Sequence, residues 1–86
     1  MGENSSITQE IETELRKALS YLTGDDQLMS VDANVPFRQL GIDSMMAIEI
    51  MAAMEKKFKI ELQEKDVVRF KNIKDTVTIL AGYLRK

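Results

Sequence analysis

The residues best suited to do chemistry are Gly41-Ile42-Asp43-Ser44, which stand between a long polar connection and an apolar segment. Glycine lets the backbone turn tightly, and either Asp43 or Ser44 could cap a helix that begins here. A serine hydroxyl at a helix N-terminus could also carry a phosphate, because the free N–H groups and the helix dipole both favour an anion. A loop that simply ends in an N-cap explains the same four residues, so the tetrapeptide alone leaves both interpretations open.

The composition narrows the possible chemistry. The 86 residues include no histidine and no cysteine. This excludes histidine general bases, histidine or thiolate metal sites, disulfides and a thiol nucleophile belonging to the chain. We therefore expect no catalytic residues, no metal site and no enzymatic activity of the chain's own. The 12 basic and 14 acidic residues give a net charge of −2, which argues against a nucleic-acid partner.

Hydropathy argues against a membrane protein. A bilayer-spanning helix needs about 18 consecutive apolar residues, whereas the apolar stretch 45–54 is shorter and contains Glu49. The N-terminus is polar and acidic, unlike a secretory signal. We expect a cytoplasmic monomer without a membrane partner, folded as one domain over residues 1–86, with residues 1–5 frayed.

The first part of the chain is expected to form a long helix and then a long loop. Ser6 and Gln9 have capping-box spacing, and apolar residues recur every three or four positions as far as Gly24, a good helix stop. The long first loop, 25–43, should be held on the core by its own apolar side chains, with a helical turn near 37–40.

The second part is expected to form two longer helices separated by a short one. Apolar spacing predicts a helix over 44–58, a short helix over 64–70, and a last helix from the N-cap Asn72 to about Leu84. The fold class is therefore all-α, a four-helix bundle with three longer helices and a short third helix. The residues expected to be buried together are Ile11, Leu15, Leu19, Ile50, Met54, Phe58, Val77 and Leu80.

The segment Phe37-Arg38-Gln39-Leu40-Gly41-Ile42-Asp43-Ser44-Met45 resembles the F-x-x-L-G-x-D-S-L signature of acyl carrier proteins. The likeness covers nearly the whole chain, because the length, the long first loop and the serine at the start of the second helix also fit. The resemblance implies that a phosphopantetheinyl transferase attaches 4′-phosphopantetheine from coenzyme A to Ser44. It implies that Asp43 helps the transferase to place magnesium and coenzyme A, and that Gly41 shapes the turn. Acyl groups would be held as thioesters on this arm, which suits a protein without cysteine.

The resemblance also implies partner enzymes, namely acyl-activating or acyl-transferring enzymes and synthases. The candidate partner contacts all lie on the second helix: Met45, Met46, Ile48, Glu49, Ala52 and Lys56. We expect Met45 and Met46 to be exposed contacts, because adaptable apolar side chains suit transient surfaces. We expect Met51 and Met54 to lie in the core.

Departures from the signature bear on the pathway. Met46 stands where fatty-acid carriers often have an acidic residue, and the second helix has a net charge of 0, with two acidic and two basic residues. Ile42 replaces the second glycine common in peptidyl carriers. These features favour a polyketide, hybrid peptide or modified-lipid pathway. The alternatives are a general carrier of fatty acid synthesis and an unmodified helical interaction module of the same fold.

Overall fold

Residues 2–85 are described by the computed structural model, with side chains from residue 7 onwards. The α-helices are α1 (Gly2–Thr23), α2 (Ser44–Phe58), α3 (Glu64–Val67) and α4 (Ile73–Leu84). The loop between α1 and α2 also contains two short 3₁₀ helices, Asp26–Met29 and Phe37–Leu40. Across residues 2–85 there is no β-strand, so the all-α, four-helix prediction is confirmed. No helix in this range is long and apolar enough to span a bilayer.

Helix α1 begins at Gly2, so the predicted start at Ser6 is wrong. Serine is only a moderately poor helix former, so capping-box spacing does not prevent a helix from continuing through it. Residues 2–5, which were expected to be frayed, are helical, and Met1 lies outside the described residues. The predicted end is confirmed, since Gly24 follows the helix with a φ of 72° and donates its N–H to the Ser20 carbonyl at 2.8 Å.

The first loop is held on the core as predicted. Leu28 and Phe37 are buried, and the turn expected near 37–40 is the second 3₁₀ helix. The Phe37 N–H also donates to the Lys71 carbonyl at 2.8 Å, which ties the loop to the segment before α4. The first 3₁₀ helix was not predicted; it is capped by Asp25, whose carboxylate accepts the Gln27 N–H at 2.9 Å.

Helices α2 and α4 have the predicted bounds. Helix α2 ends where Lys59 takes a left-handed conformation, with φ at 57°. Helix α4 begins after Asn72, whose side chain accepts the Asp75 N–H at 2.7 Å. Helix α3 is shorter than predicted, because it ends at Val67 rather than at residue 70.

The core lies where α1 packs against α2 and α4. Seven of the eight side chains predicted to be buried together are buried: Ile11, Leu15, Leu19, Ile50, Met54, Val77 and Leu80. Phe58 is only half-buried at the end of α2 and packs against the edge of this core, so its predicted full burial is wrong. Met54 is buried and Met51 is half-buried against the core.

Candidate functional site

The backbone before α2 is held in a tight turn. Gly41 has a φ of 78°, a left-handed conformation that glycine adopts without a side-chain penalty. Its N–H donates to the Arg38 carbonyl at 3.3 Å, and the Ile42 N–H donates to the Phe37 carbonyl at 3.0 Å. The Ile42 side chain is buried. The turn is therefore anchored to the core immediately before Asp43 and Ser44.

Asp43, and not Ser44, caps α2. The Asp43 Oδ1 accepts the Met46 N–H at 2.9 Å, the usual contact between an N-cap and the third helical residue. The side chain is exposed, and its second carboxylate oxygen has no hydrogen-bond partner among the side chains and backbone of residues 7–85. One oxygen thus stabilises the helix while the other faces solvent.

Ser44 is the first residue of α2 and is exposed. Its hydroxyl makes no hydrogen bond within the described part of the chain, because the cap is supplied by Asp43. The first N–H groups of a helix lack intrahelical partners, and Asp43 takes only that of Met46. The N–H groups of Ser44 and Met45 remain available to an anion at the positive end of the helix dipole.

A groove of about 580 Å³ opens beside Ser44, between the second 3₁₀ helix and the segment that runs from α3 to α4. Ile42, Val67 and Phe70 contribute apolar side chains, while Arg38 and Lys71 contribute cations. The apolar and charge patterns of the sequence did not connect residues 67–71 with the site. No local signal could have done so, because the contact joins segments about 25 residues apart.

The outer face of α2 carries an apolar strip next to the site. Met45 is 73% exposed and Ile48 is 54% exposed, and Ala52 continues the same helical face. Val68, at the end of α3, is 74% exposed and lines the groove beside Ser44. Met46 is half-buried against the core, so the expectation that it would be an exposed contact is wrong.

The charged residues of α2 are not equally available. Glu49 and Lys56 are exposed. The half-buried Glu55 uses its Oε2 to accept the Leu62 N–H at 2.7 Å. The Lys57 Nζ lies 3.7 Å from the Glu14 Oε1 on α1. Of the two acidic residues of α2, only Glu49 is therefore fully presented to solvent.

The arrangement offers an exposed hydroxyl at the start of a helix. Within the described residues no group of three or more carboxylates could hold a metal ion. The groups assembled around Ser44 are a capping carboxylate, free helical N–H groups and an apolar groove. They suit an anionic group at the serine.

Comparisons with known proteins agree with this geometry. A family model described as the phosphopantetheine attachment site matches residues 9–80. The fold is similar to the crystal structure of an acyl carrier protein from Thermotoga maritima, with a TM-score of 0.80 and 22% sequence identity. That match covers 92% of each chain. At this identity the likeness establishes the fold, while the family match establishes the cofactor, 4′-phosphopantetheine.

Such domains carry groups for other enzymes and are not catalysts. Since the family model spans most of the chain, the protein belongs to the phosphopantetheine attachment family and has the fold of an acyl carrier protein.

Proposed function

We propose that Ser44 is the attachment residue for 4′-phosphopantetheine and that the protein presents acyl groups, held as thioesters on that arm, to partner enzymes. The observation that carries the proposal is the position of Ser44. It is exposed and is the first residue of α2. Its hydroxyl has no hydrogen-bond partner in residues 7–85, since Asp43 caps the helix.

The residues around Ser44 fit the phosphodiester of the arm. The N–H groups of Ser44 and Met45 and the helix dipole favour a negative charge at this point. Gly41 leaves open space, because even an added Cβ would meet no atom within 4 Å. An enzyme can therefore approach the hydroxyl from the side of the turn.

Asp43 has a second role in this proposal. Its Oδ1 is committed to the Met46 N–H, but its other oxygen faces solvent next to the serine. Magnesium prefers carboxylate oxygens together with phosphates of its substrate. The free oxygen of Asp43 is thus available to help a phosphopantetheinyl transferase place magnesium and coenzyme A.

The partners in this proposal are the transferase, acyl-activating or acyl-transferring enzymes, and synthases. They contact the outer face of α2 through Met45, Ile48 and Ala52, with Glu49 and Lys56 at its sides and Met46 contributing only its exposed part. Charge complementarity acts mainly on encounter rate and on rejection of wrong partners. A face with one free acid and one free base therefore supports a polyketide, hybrid peptide or modified-lipid pathway over general fatty acid synthesis.

The proposal also includes a cytoplasmic monomer that acts as a single domain over residues 1–86. The core shared by α1, α2 and α4 supports the single domain.

The test is a mass measurement after incubation with coenzyme A, magnesium and a broad-specificity transferase. The parent protein should gain one phosphopantetheine, and Ser44→Ala should gain none while keeping its helical spectrum. Ser30→Ala is the control, because Ser30 is an exposed serine of the first loop; this variant should be modified like the parent. Modification of Ser44→Ala, or of a different serine in the parent, would refute the assignment.

A further inference from the structure

Helix α3 has few attachments of its own. It is a single turn of four residues, Glu64–Val67, and a single helical turn is not stable without tertiary contacts. The buried side chains of Leu62 and Phe70 hold the two ends of its segment. Its position between those ends therefore depends on the contacts of the helix itself.

The central contact of α3 is a buried carboxylate. Asp66 is only 5% exposed, and its Oδ2 accepts a hydrogen bond from the hydroxyl of Tyr83 on α4. Its Oδ1 accepts a hydrogen bond from Arg69 at 3.2 Å. The same Tyr83 oxygen accepts the Gln63 N–H at 3.2 Å. One phenol thus binds both the residue before α3 and the buried acid inside it.

This contact adjoins the groove beside Ser44. Val67 and Val68 directly follow Asp66 in the chain, and both line the groove that Ser44 also lines. A displacement of Asp66 from Tyr83 would move these two side chains. Tyr83 itself does not line that groove, and its hydrogen bond to Asp66 connects it to the part of the wall that α3 supplies.

We propose that Tyr83 is a positioning residue that holds α3 in place through Asp66 and so fixes the wall of the groove beside Ser44. The inference rests on the proposed role of Ser44, because the groove wall matters to a partner that must reach that serine. Such a partner also meets Val68, which is 74% exposed. The contact on α4 therefore sets the surface that partners find next to the attachment residue.

The first test is amide hydrogen exchange of the unmodified protein, compared between the parent and Tyr83→Phe. This variant keeps the ring and removes the oxygen that bonds Gln63 and Asp66. Exchange at residues 63–70 should accelerate about tenfold, since local opening follows the loss of local contacts. Tyr21→Phe is the matched control; Tyr21 is 87% exposed and its exchange pattern should match the parent. Unchanged exchange at 63–70, or equal acceleration in all helices, overturns the inference.

Asp66→Asn separates the hydrogen bond from the charge. An asparagine oxygen still accepts from Tyr83, so exchange at 63–70 should stay closer to the parent than in Tyr83→Phe. In Tyr83→Phe the methyl resonances of Val67 and Val68 should also broaden, because they report the groove wall directly. Sharp, unshifted valine signals in that variant would contradict the proposed link to the groove.

The functional readout is the kinetics of phosphopantetheine transfer. With Tyr83→Phe as substrate, the KM of the transferase should rise about threefold while kcat stays unchanged. The substitution weakens docking of the transferase but leaves the reacting serine as it is in the parent. Tyr21→Phe should keep the parent KM. If the parent is not modified at all, the proposed function fails, while the exchange experiment still decides whether Tyr83 holds α3. A parent-like KM in Tyr83→Phe overturns the link between α3 and docking.

Discussion

Asp43 and Ser44 have different roles at the proposed attachment site. Both residue types are good N-caps, so the sequence could predict a capped helix start but not which residue caps it. The structure assigns the cap to Asp43, whose Oδ1 bonds the Met46 N–H. The hydroxyl of Ser44 is left exposed as a consequence.

Replacement of Asp43 should separate its structural role from its proposed role toward the transferase. Asp43→Asn keeps a capping oxygen, so its unfolding free energy should stay within about 0.5 kcal/mol of the parent, whereas Asp43→Ala should lose about 1 kcal/mol. Both variants should be modified slowly, because neither supplies a carboxylate for magnesium. Urea denaturation and initial transferase rates measure the two effects. If Asp43→Asn is modified at the parent rate, Asp43 acts only as the helix cap and not toward the transferase.

Gly41 and Gly82 form a second pair of contrasting positions. Neither would place a Cβ within 4 Å of another atom, but only Gly41 has a positive φ, of 78°. Gly41→Ala should therefore lower the unfolding free energy by about 1 kcal/mol, the cost of a left-handed alanine. Gly82→Ala, in α4, should raise it by about 0.5–1 kcal/mol. Urea denaturation of the two variants checks this, and shifts of the same sign would contradict it.

At the scale of elements, local signals predicted most boundaries. The stop at Gly24, the bounds of α2 and the N-cap Asn72 follow from capping chemistry and apolar spacing. The start of α1 was mispredicted, because Ser6 with Gln9 has cap-like spacing inside a continuing helix.

Capping chemistry and apolar spacing could not predict how α3 is attached to the rest of the fold. It depends on a hydrogen bond between Tyr83 and Asp66, which are 17 residues apart in the sequence. Neither residue type predicts that pairing. The groove beside Ser44 was missed for the same reason, since residues 67–71 approach the serine only in the folded chain.

The charge on the outer face of α2 is predicted to influence partner choice. Met45→Asp with Lys56→Glu changes two exposed positions and makes the helix more acidic by three charges, with the aspartate favourably placed near the helix N-terminus. Met46→Asp is avoided because Met46 packs against the core. In phosphopantetheinylated form, the double variant should be turned over faster than the parent by primary fatty-acid enzymes that have basic docking patches.

The control for this comparison carries the same change in charge on another helix. Gln9→Glu with Lys17→Glu alters two exposed positions on α1 and should leave the rates near those of the parent. The increase in turnover rate of the α2 variant over the parent should be smaller at physiological salt than at low salt, because salt screens surface charges. Equal rates for parent and α2 variant at both salts would remove the main support for a specialised pathway.

The hydrogen bond between Tyr83 and Asp66 also predicts a pH dependence. That bond, together with partial burial and the nearby negative charge, raises the pKa of Tyr83 above its ordinary value of 10.0. Because the folded pKa lies above the unfolded one, the stabilisation is complete below about pH 10 and is lost as the pH rises through the folded pKa. The difference in unfolding free energy between the parent and Tyr83→Phe should therefore be constant from about pH 7 to 9 and then shrink. A difference that grows above about pH 10 would contradict this sign.

At the scale of the whole molecule, α1 is the element on which the others assemble. Its buried residues Ile11, Leu15 and Leu19 have no measurable exposure, and α2, α4 and the first 3₁₀ helix all contact it. Apolar periodicity could predict this stripe, because a helix with one buried face repeats every three or four residues. It could not predict how deeply each end of a helix is buried: Phe58 follows the apolar spacing of α2 but is only half-buried at its end.

Truncations along this core should therefore rank by burial and not by side-chain size. Leu15→Ala removes a fully buried side chain and should lower the unfolding free energy by about 3 kcal/mol. Phe58→Ala removes a larger but half-buried ring and should cost less, about 2 kcal/mol, because part of its surface already contacts water. Both losses are a sizeable share of the total stability expected for a chain of this length, roughly 4–13 kcal/mol. Urea denaturation followed by far-UV circular dichroism and by tyrosine fluorescence would measure both, and the two signals should coincide if residues 2–85 unfold as one cooperative unit. A larger loss for Phe58→Ala than for Leu15→Ala would mean that the end of α2, rather than the middle of α1, anchors the core.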